Sequence, residues 1–486
     1  MQTKTTFNIP DFFSQNRKSI FWTGGALFIL CVFFALFFDC KLLIVLPFGL
    51  LFLSWLLFDF KTIFFVLLIV LPVSVEVEIG SLGTDLPSEP IVILLSLCTL
   101  FYVLKNINLV YKYANHKIVV MLCLLYLWGW IATLFSTDVI LSVKYMLAKT
   151  WYLLGFFVLP LLLLNNKHKI QQFFWCLFIP TFISILYALV AHGIKGLTFD
   201  TITNAVHPIY RNHVNYAVFI TMFLPFIFLA KSWYRSKSVV HAFLNFSILI
   251  FLVAIYFSYT RGAWLAVGAM LAYYFILKWN LTKYVLFILG IAVFVFLVLM
   301  LKDNNYLKYA PNYEHTIYHD ELAEHLTSTF EMEDMSTVER FYRWIAAINM
   351  AKEQPLLGVG PNNFVSNYKQ YTVTAYETYI SDNEEKSTVH NYFLLLLTEQ
   401  GVPAVLLFVL LIIVVLLTAQ NAYNGNGVNG QQYVIATTLC IIAFLLNNTL
   451  SDLVEANKVG SLFYMCLGIL INLSDKTSVF NTTNKE

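Results

Sequence analysis

Charge is scarce in this 486-residue sequence: 12% of it is Asp, Glu, Lys or Arg, and 59% is hydrophobic. Soluble domains carry about 25% charged residues, so a water-soluble globule is excluded. A basic excess is also missing. Thirty Lys and Arg against 28 Asp and Glu leave a net charge of +2, without the clustered basic face that would point to nucleic acid as a partner. Seven cysteines occur, with no CxxC and no Cys/His ligand spacing, so neither a disulfide framework nor a zinc site is indicated. No internal repeat is visible. The polar start, MQTKTTFNIPDFFSQNRK, shows no cleavable signal pattern.

What is present is a series of apolar runs, each near the length of about 20 residues that a helix needs to cross a bilayer. Candidate spans fall at 19–38, 42–58, 62–79, 90–104, 118–135, 150–164, 170–192, 214–230, 240–258, 263–277, 284–301, 402–419, 432–449 and 459–473. The expected fold is therefore an all-α polytopic membrane protein with about 12–14 transmembrane helices. With a cytoplasmic N-terminus, 16 Lys and Arg fall on the cytoplasmic side, 7 in short outer loops and 7 in one long outer segment. The positive-inside rule selects that orientation. Residues 1–301 then hold eleven helices, 302–390 a periplasmic cap, 391–475 a re-entrant or short helix plus the last three spans, and 476–486 a cytoplasmic tail.

The segment 302–390 holds 14 acidic and 7 basic residues, too polar to span and too rich in Tyr, Trp and Leu to be a disordered tail. Within it, Val338, Phe341, Ile345 and Ile348 recur at helical spacing behind Ser336 or Thr337, which predicts a helix over 336–353. The cap is thus expected to be mainly helical.

Charged residues beside a membrane are costly and are functional candidates by default. Arg261 sits in a four-residue break between two apolar runs, where it either snorkels to headgroups or points into a cavity. His390 opens HNYFLLLLTEQG, where the cap returns to the membrane, and Gly401 and Pro403 interrupt the helix that follows. An imidazole there suits a general base or acid, or it merely caps a helix. His207, Tyr210, Arg211 and His213 cluster before the span at 214–230. Arg211 suits phosphate oxygens; an interfacial polar-aromatic belt is the plainer reading of this cluster. His315, His319 and His325 lack the glutamate of a zincin motif, so no metal site is expected. Arg340 and Arg343 share a helix face, solvated or paired with Glu339, and Asp452 and Glu455 are candidates to orient His390 with no motif behind them.

Together these residues form a pattern. TRGAWLAVG carries Arg-x3-Leu (Arg261, Leu265), HNYFLLLLTEQG carries His390-Asn391 with Gly401 following, and RFYRW and LLGVGPNNF lie between them. This order, with an extramembrane loop between arginine and histidine, resembles the O-antigen ligase family, which shares a superfamily with O-antigen polymerases and bacterial protein O-oligosaccharyltransferases. The resemblance covers roughly residues 200–450. It departs at Ala404, where the family often has a second glycine; alanine is still small enough for close helix packing.

The resemblance implies a GT-C-like, metal-independent, inverting glycosyltransferase of the bacterial inner membrane that uses no cofactor. The donor is a glycan on undecaprenyl pyrophosphate, and the acceptor hydroxyl belongs to lipid A-core, another glycan or a protein. O-antigen ligation is the first reading; polymerase and protein O-oligosaccharyltransferase are the alternatives. His390 would be the catalytic residue, Arg261 and Arg211 would hold the pyrophosphate, and Asn391, His213, Tyr210, Arg340 and Arg343 would support them. A flippase or transporter would more usually show inverted repeats and charges at the bilayer midplane; loss of glycan transfer on replacing His390 alone would argue against that reading and against a non-catalytic envelope scaffold.

Overall fold

The computed structural model describes residues 26, 29, 30, 33, 34, 42–79, 82–309, 335–372, 383 and 387–475. Most of the expected span at 19–38, the histidines 315, 319 and 325 and much of the cap lie outside them. Two compact units divide the chain, Met1–Phe64 and Phe65–Glu486.

Helix α1 (Leu42–Val70) breaks at Asp59, with φ −145° and ψ 65°. The Asp59 carboxylate accepts hydrogen bonds from the Thr62 backbone N–H at 3.2 Å and from its hydroxyl, capping a fresh helical stretch. The division expected between 42–58 and 62–79 is therefore present. The second of those spans is cut short, however. After one 3₁₀ turn at Leu71–Val73 the chain forms an antiparallel hairpin, β1 (Val75–Ile79) and β2 (Leu82–Leu86), with Val75 opposite Leu86. The run Val-Glu-Val-Glu-Ile alternates with a period of two, which a strand satisfies and a membrane helix does not.

The helices that follow are α2 (Ser88–Lys105), α3 (Ile107–Ala114), α4 (Lys117–Leu134), α5 (Val139–Leu163), α6 (Lys167–Ile194), α7 (Phe199–Val206), α8 (His213–Lys231), α9 (Val239–Tyr256), α10 (Arg261–Lys278), α11 (Thr282–Leu301), α12 (Met335–Glu353), α13 (Tyr392–Gly425), α14 (Val428–Leu450) and α15 (Asn457–Ser474). Among the described residues, nine helices are long and apolar enough to cross a membrane. The protein is an all-α polytopic membrane protein. Within Phe65–Glu486, helix α15 is buried from Lys458 to Leu473. Phe174, Phe178, Phe223 and Phe251 stack between α6, α8 and α9.

One expected boundary is corrected. Instead of a span at 150–164 preceded by a loop, α5 begins at Val139, where the Asp138 carboxylate caps it by accepting from the Leu141 N–H at 3.0 Å. Lys144 and Lys149 are therefore helical residues rather than loop residues. A π-helical turn at Leu154–Val158 adjusts the helix midway.

Many polar contacts between elements gather in two sets at helix ends, which alternate between them along the chain. At one end Lys112 faces Asp475, His116 bonds Ser474, Trp175 donates to Tyr234, Asn424 to Asn280, and Asn426 to the Leu473 carbonyl. At the other end Asn457 donates to Asp85, Thr137 to the Val359 carbonyl, Tyr259 to the Leu197 carbonyl, and Asn391 to the Thr449 carbonyl. All the residues expected to carry chemistry belong to the second end.

Candidate functional site

The site is anchored by a break in α13. Gly401 takes φ 74° and ψ −177°, a conformation essentially confined to glycine. The break frees carbonyls that a continuous helix would use, and buried carbonyls need partners. Those of Thr398 and Glu399 accept from the Val359 and Gly360 N–H groups at 2.9 Å each, and that of Gln400 accepts from Trp128 Nε1 at 2.8 Å. Val402 N–H donates to the Pro355 carbonyl at 2.8 Å. The Glu399 carboxylate accepts from the N–H groups of Asn362 at 2.8 Å and Phe364 at 3.2 Å. The segment Leu356–Phe364 is thus locked onto the broken helix. A Cβ at Gly401 would run into the Leu356 carbonyl. The short helix expected after His390 is present, and it continues through the break into the next span.

At the head of α13, Asn391 accepts from the Leu394 N–H at 3.1 Å as N-cap and donates to the Thr449 carbonyl at 2.9 Å. His390 precedes it with φ 54°, a left-handed conformation that a non-glycine residue rarely adopts. Its Nδ1 lies 4.0 Å from Asp452 Oδ1, beyond hydrogen-bond reach. The other oxygen of Asp452 accepts from the Thr388 hydroxyl. The neighbouring Val389 carbonyl takes the Trp344 Nε1–H of α12 at 3.1 Å.

Burial first, and the positive charges of Arg343 and Arg340 second, push the His390 pKa down from 6.5 to about 3. Burial also raises that of Asp452, partly offset by the Thr388 hydrogen bond. Neighbouring cations disfavour the imidazolium, as does the loss of water, so the ring is neutral at physiological pH. Of the two readings for Arg340 and Arg343, solvated or paired with Glu339, Arg343 takes the second. It is only 3% exposed and lies 3.9 Å from Glu339, because α12 lays this face onto α13.

Arg261 is the first residue of α10, which packs along α14; a Cβ on the adjacent Gly262 would meet Asn447 Oδ1 at 2.9 Å. Arg261 and His390 therefore flank the same end of α14. Arg211 is exposed and lines a cavity of about 380 Å³. Tyr210 is buried in its wall, bonded to Ser184 at 2.9 Å, and His213 bonds Thr203 at 2.8 Å.

Asp452 lines the same cavity, as do Glu399, Lys149, Glu455 and Lys458. Glu455 does not face His390 as expected: it accepts from the Tyr145 hydroxyl and lies 3.4 Å from Lys149 Nζ. Lys458 donates to the carbonyls of Pro72, Ser74 and Ile209, tying the start of α15 to the turn before β1 and to the connection before α8. Glu399 and Lys149 were legible only as isolated charges in apolar surroundings, a signal that favours function but names no partner.

A bundle of apolar helices with a histidine–carboxylate pair and a charged cavity at one end defines a multi-pass membrane protein with a built site at that end. Residues 246–409 match the family model described as O-antigen ligase. The match supports membership of the O-antigen ligase family, and with it glycosyltransferase or ligase activity. It takes in Arg261, Arg340, Arg343, His390 and Gly401 and leaves Arg211, Asp452 and the hairpin outside. No curated protein matches the chain.

Proposed function

We propose that the chain transfers a glycan from undecaprenyl pyrophosphate to an acceptor hydroxyl on the periplasmic face of the inner membrane, ligating O-antigen-type glycan to lipid A-core. The observation that carries this reading is His390: a neutral imidazole, one third exposed, beside two guanidiniums and a half-buried carboxylate. Its ring nitrogen accepts the proton of the acceptor hydroxyl as that oxygen bonds to the anomeric carbon. The bond to the pyrophosphate oxygen breaks in the same displacement, which inverts the anomeric centre.

The imidazolium so formed would be held by Asp452, close enough for charge attraction without a hydrogen bond in the resting state. Negative charge develops on the leaving pyrophosphate, and fixed cations stabilise it best in a water-poor cleft. Arg261 and Arg211 are proposed for that task, with Arg340 and Arg343 contributing positive potential. Fixed guanidiniums take the place of a divalent cation, so transfer should continue in excess chelator. The sidedness follows from the Lys- and Arg-rich connections at the opposite end of the bundle.

The test is purified protein reconstituted with a lipid-linked glycan and, in turn, lipid A-core, a second glycan chain and a protein acceptor. Transfer to lipid A-core in EDTA, lost in His390→Ala, is the expected outcome. Transfer only to a growing glycan would make the chain a polymerase. Full activity of His390→Ala at wild-type protein level would sink the catalytic assignment.

A further inference from the structure

The cavity beside Asp452 has a wall that the proposed chemistry does not use. The hairpin and the start of α2 bring Glu76, Asp85 and Glu89 to it, opposite Tyr145, Tyr152 and Lys149 of α5. Its volume of about 380 Å³ falls within the usual range for small-ligand pockets, about 300–1,000 Å³. Glu89 uses one oxygen, Oε2, to accept from the Thr84 hydroxyl at 2.8 Å and the Asp85 N–H at 3.2 Å. Asp85 uses Oδ2 to accept from Asn457 at 2.6 Å. Each keeps a second acceptor oxygen.

The cations of this cavity are largely committed. Lys458 donates to three backbone carbonyls, and Lys149 to Tyr145 and Glu455. Of the six acids that line the cavity with Arg211, Glu455 is paired with Lys149 and Glu399 is held by two backbone N–H groups, which leaves Glu76, Asp85 and Glu89 on the hairpin side and Asp452 beside His390.

A second observation points the same way. Asn215, at the start of α8, lines the cavity, and its Oδ1 is buried with no hydrogen-bond donor among the described residues. Buried acceptors are nearly always paired, so this position suits a donor brought by a ligand. Phosphates and carboxylates bring no donors and would be repelled by Glu89 and its neighbours. Sugar hydroxyls bring many, and a bond from a hydroxyl to a carboxylate is charge-assisted and stronger than a neutral one. Tyr145 and Tyr152 line the same cavity and bring aromatic surface to it.

We propose that this wall is a subsite for a sugar residue without an acidic group, neutral or amino-bearing, within the glycan substrate. The pyrophosphate is kept to the arginine side. This rests on the proposed glycosyl transfer for the identity of the ligand as a glycan, and its test is binding rather than turnover. Purified full-length protein in detergent is titrated with three trisaccharides: N-acetylchitotriose (neutral), chitosan trimer (cationic) and trigalacturonate (anionic), read by saturation-transfer NMR.

The first two should bind and the third should bind at least about tenfold more weakly. Glu89→Gln preserves the shape and the Thr84 and Asp85 hydrogen bonds, and it should weaken the bound trimers about tenfold. Asn215→Asp adds a carboxylate and should raise the preference for the cationic trimer over the neutral one several-fold; it serves as the independent variant should Glu89→Gln not fold. Equal or tighter binding of trigalacturonate, no binding of either other trimer, or affinities indifferent to both variants would overturn the subsite. His390→Ala separates the two ideas, because it should bind the trimers as the wild type does while failing to transfer glycan. A chain that transfers glycan with charge-indifferent binding keeps the reaction and loses the subsite; one that binds selectively and never transfers does the reverse.

Discussion

Asp452 stands between two unlike walls. On one side are the imidazole of His390 and, in α12, the guanidiniums of Arg340 and Arg343; on the other is the cavity with the hairpin carboxylates Glu76, Asp85 and Glu89. The first wall is drawn from the stretch that matches the ligase family, and the second lies almost wholly outside it. The contrast separates two physical demands. Moving a proton and releasing a pyrophosphate calls for a neutral base and fixed positive charge. Telling one glycan from another calls for acceptors shaped to a particular sugar. A common reaction can be shared across a family while the sugar changes, and under the proposed transfer the two demands would fall on different segments of the chain.

The largest effect expected is from His390→Ala, which strikes the first wall alone. A general base typically contributes about 10²–10⁴-fold to rate, so glycan transfer in reconstituted membranes should fall by that amount while the protein stays folded. Near-normal transfer would demote His390 to a structural cap. Arg261→Lys keeps the charge and removes the planar fork. If Arg261 holds the pyrophosphate, the loss of one preorganised donor should cost about 10²–10³ in rate; a headgroup-snorkelling arginine should lose much less than tenfold. Retained activity in the lysine variant would shift the pyrophosphate to Arg211.

Gly401→Ala tests what the walls share, the lock between α13 and Leu356–Phe364. Backbone strain of about 1–3 kcal/mol adds to the clash with the Leu356 carbonyl. Thermal unfolding in detergent should come at a lower temperature, and transfer and trimer binding should fall together. An unchanged melting point would mean that the break can be refilled as ordinary helix.

The smallest effect concerns pH. The folded-state pKa of His390 lies below its unfolded value of 6.5, at about 3. The folded protein therefore binds fewer protons than the unfolded chain between these values. The stability this contributes is fully present above pH 6.5 and is lost as pH falls through that window. The acid limb of the rate profile due to this base should accordingly lie below pH 6.5. Arg340→Gln removes one of the charges that depress the ring and should move the limb upward; a downward shift would contradict the electrostatic account of the first wall.

The sequence by itself determined most of what is local. The spans at 118–135 and 214–230 appear as Lys117–Leu134 and His213–Lys231, and the cap helix read at 336–353 as Met335–Glu353, because apolar length, hydrophobic period and capping residues act within about 20 residues. The break at Gly401 was legible for the same reason. Where two local signals compete in one apolar run the reading failed: Val75–Ile79 joined a span although its period is that of a strand, and the start of α5 was hidden by the lysines on its outer turns.

The tertiary structure alone decided which distant groups meet. Nothing within the sequence window of Lys149 points to Glu455, 306 residues away, nor does that of His390 single out Asp452 over Glu455. Arg343 is buried because α12 packs against α13 and against the turn that carries Tyr368. A helix satisfies its hydrogen bonds within itself, so its pattern is written along the chain. A cavity exists only where side chains from many segments converge after the helices have packed, and no local period records that convergence.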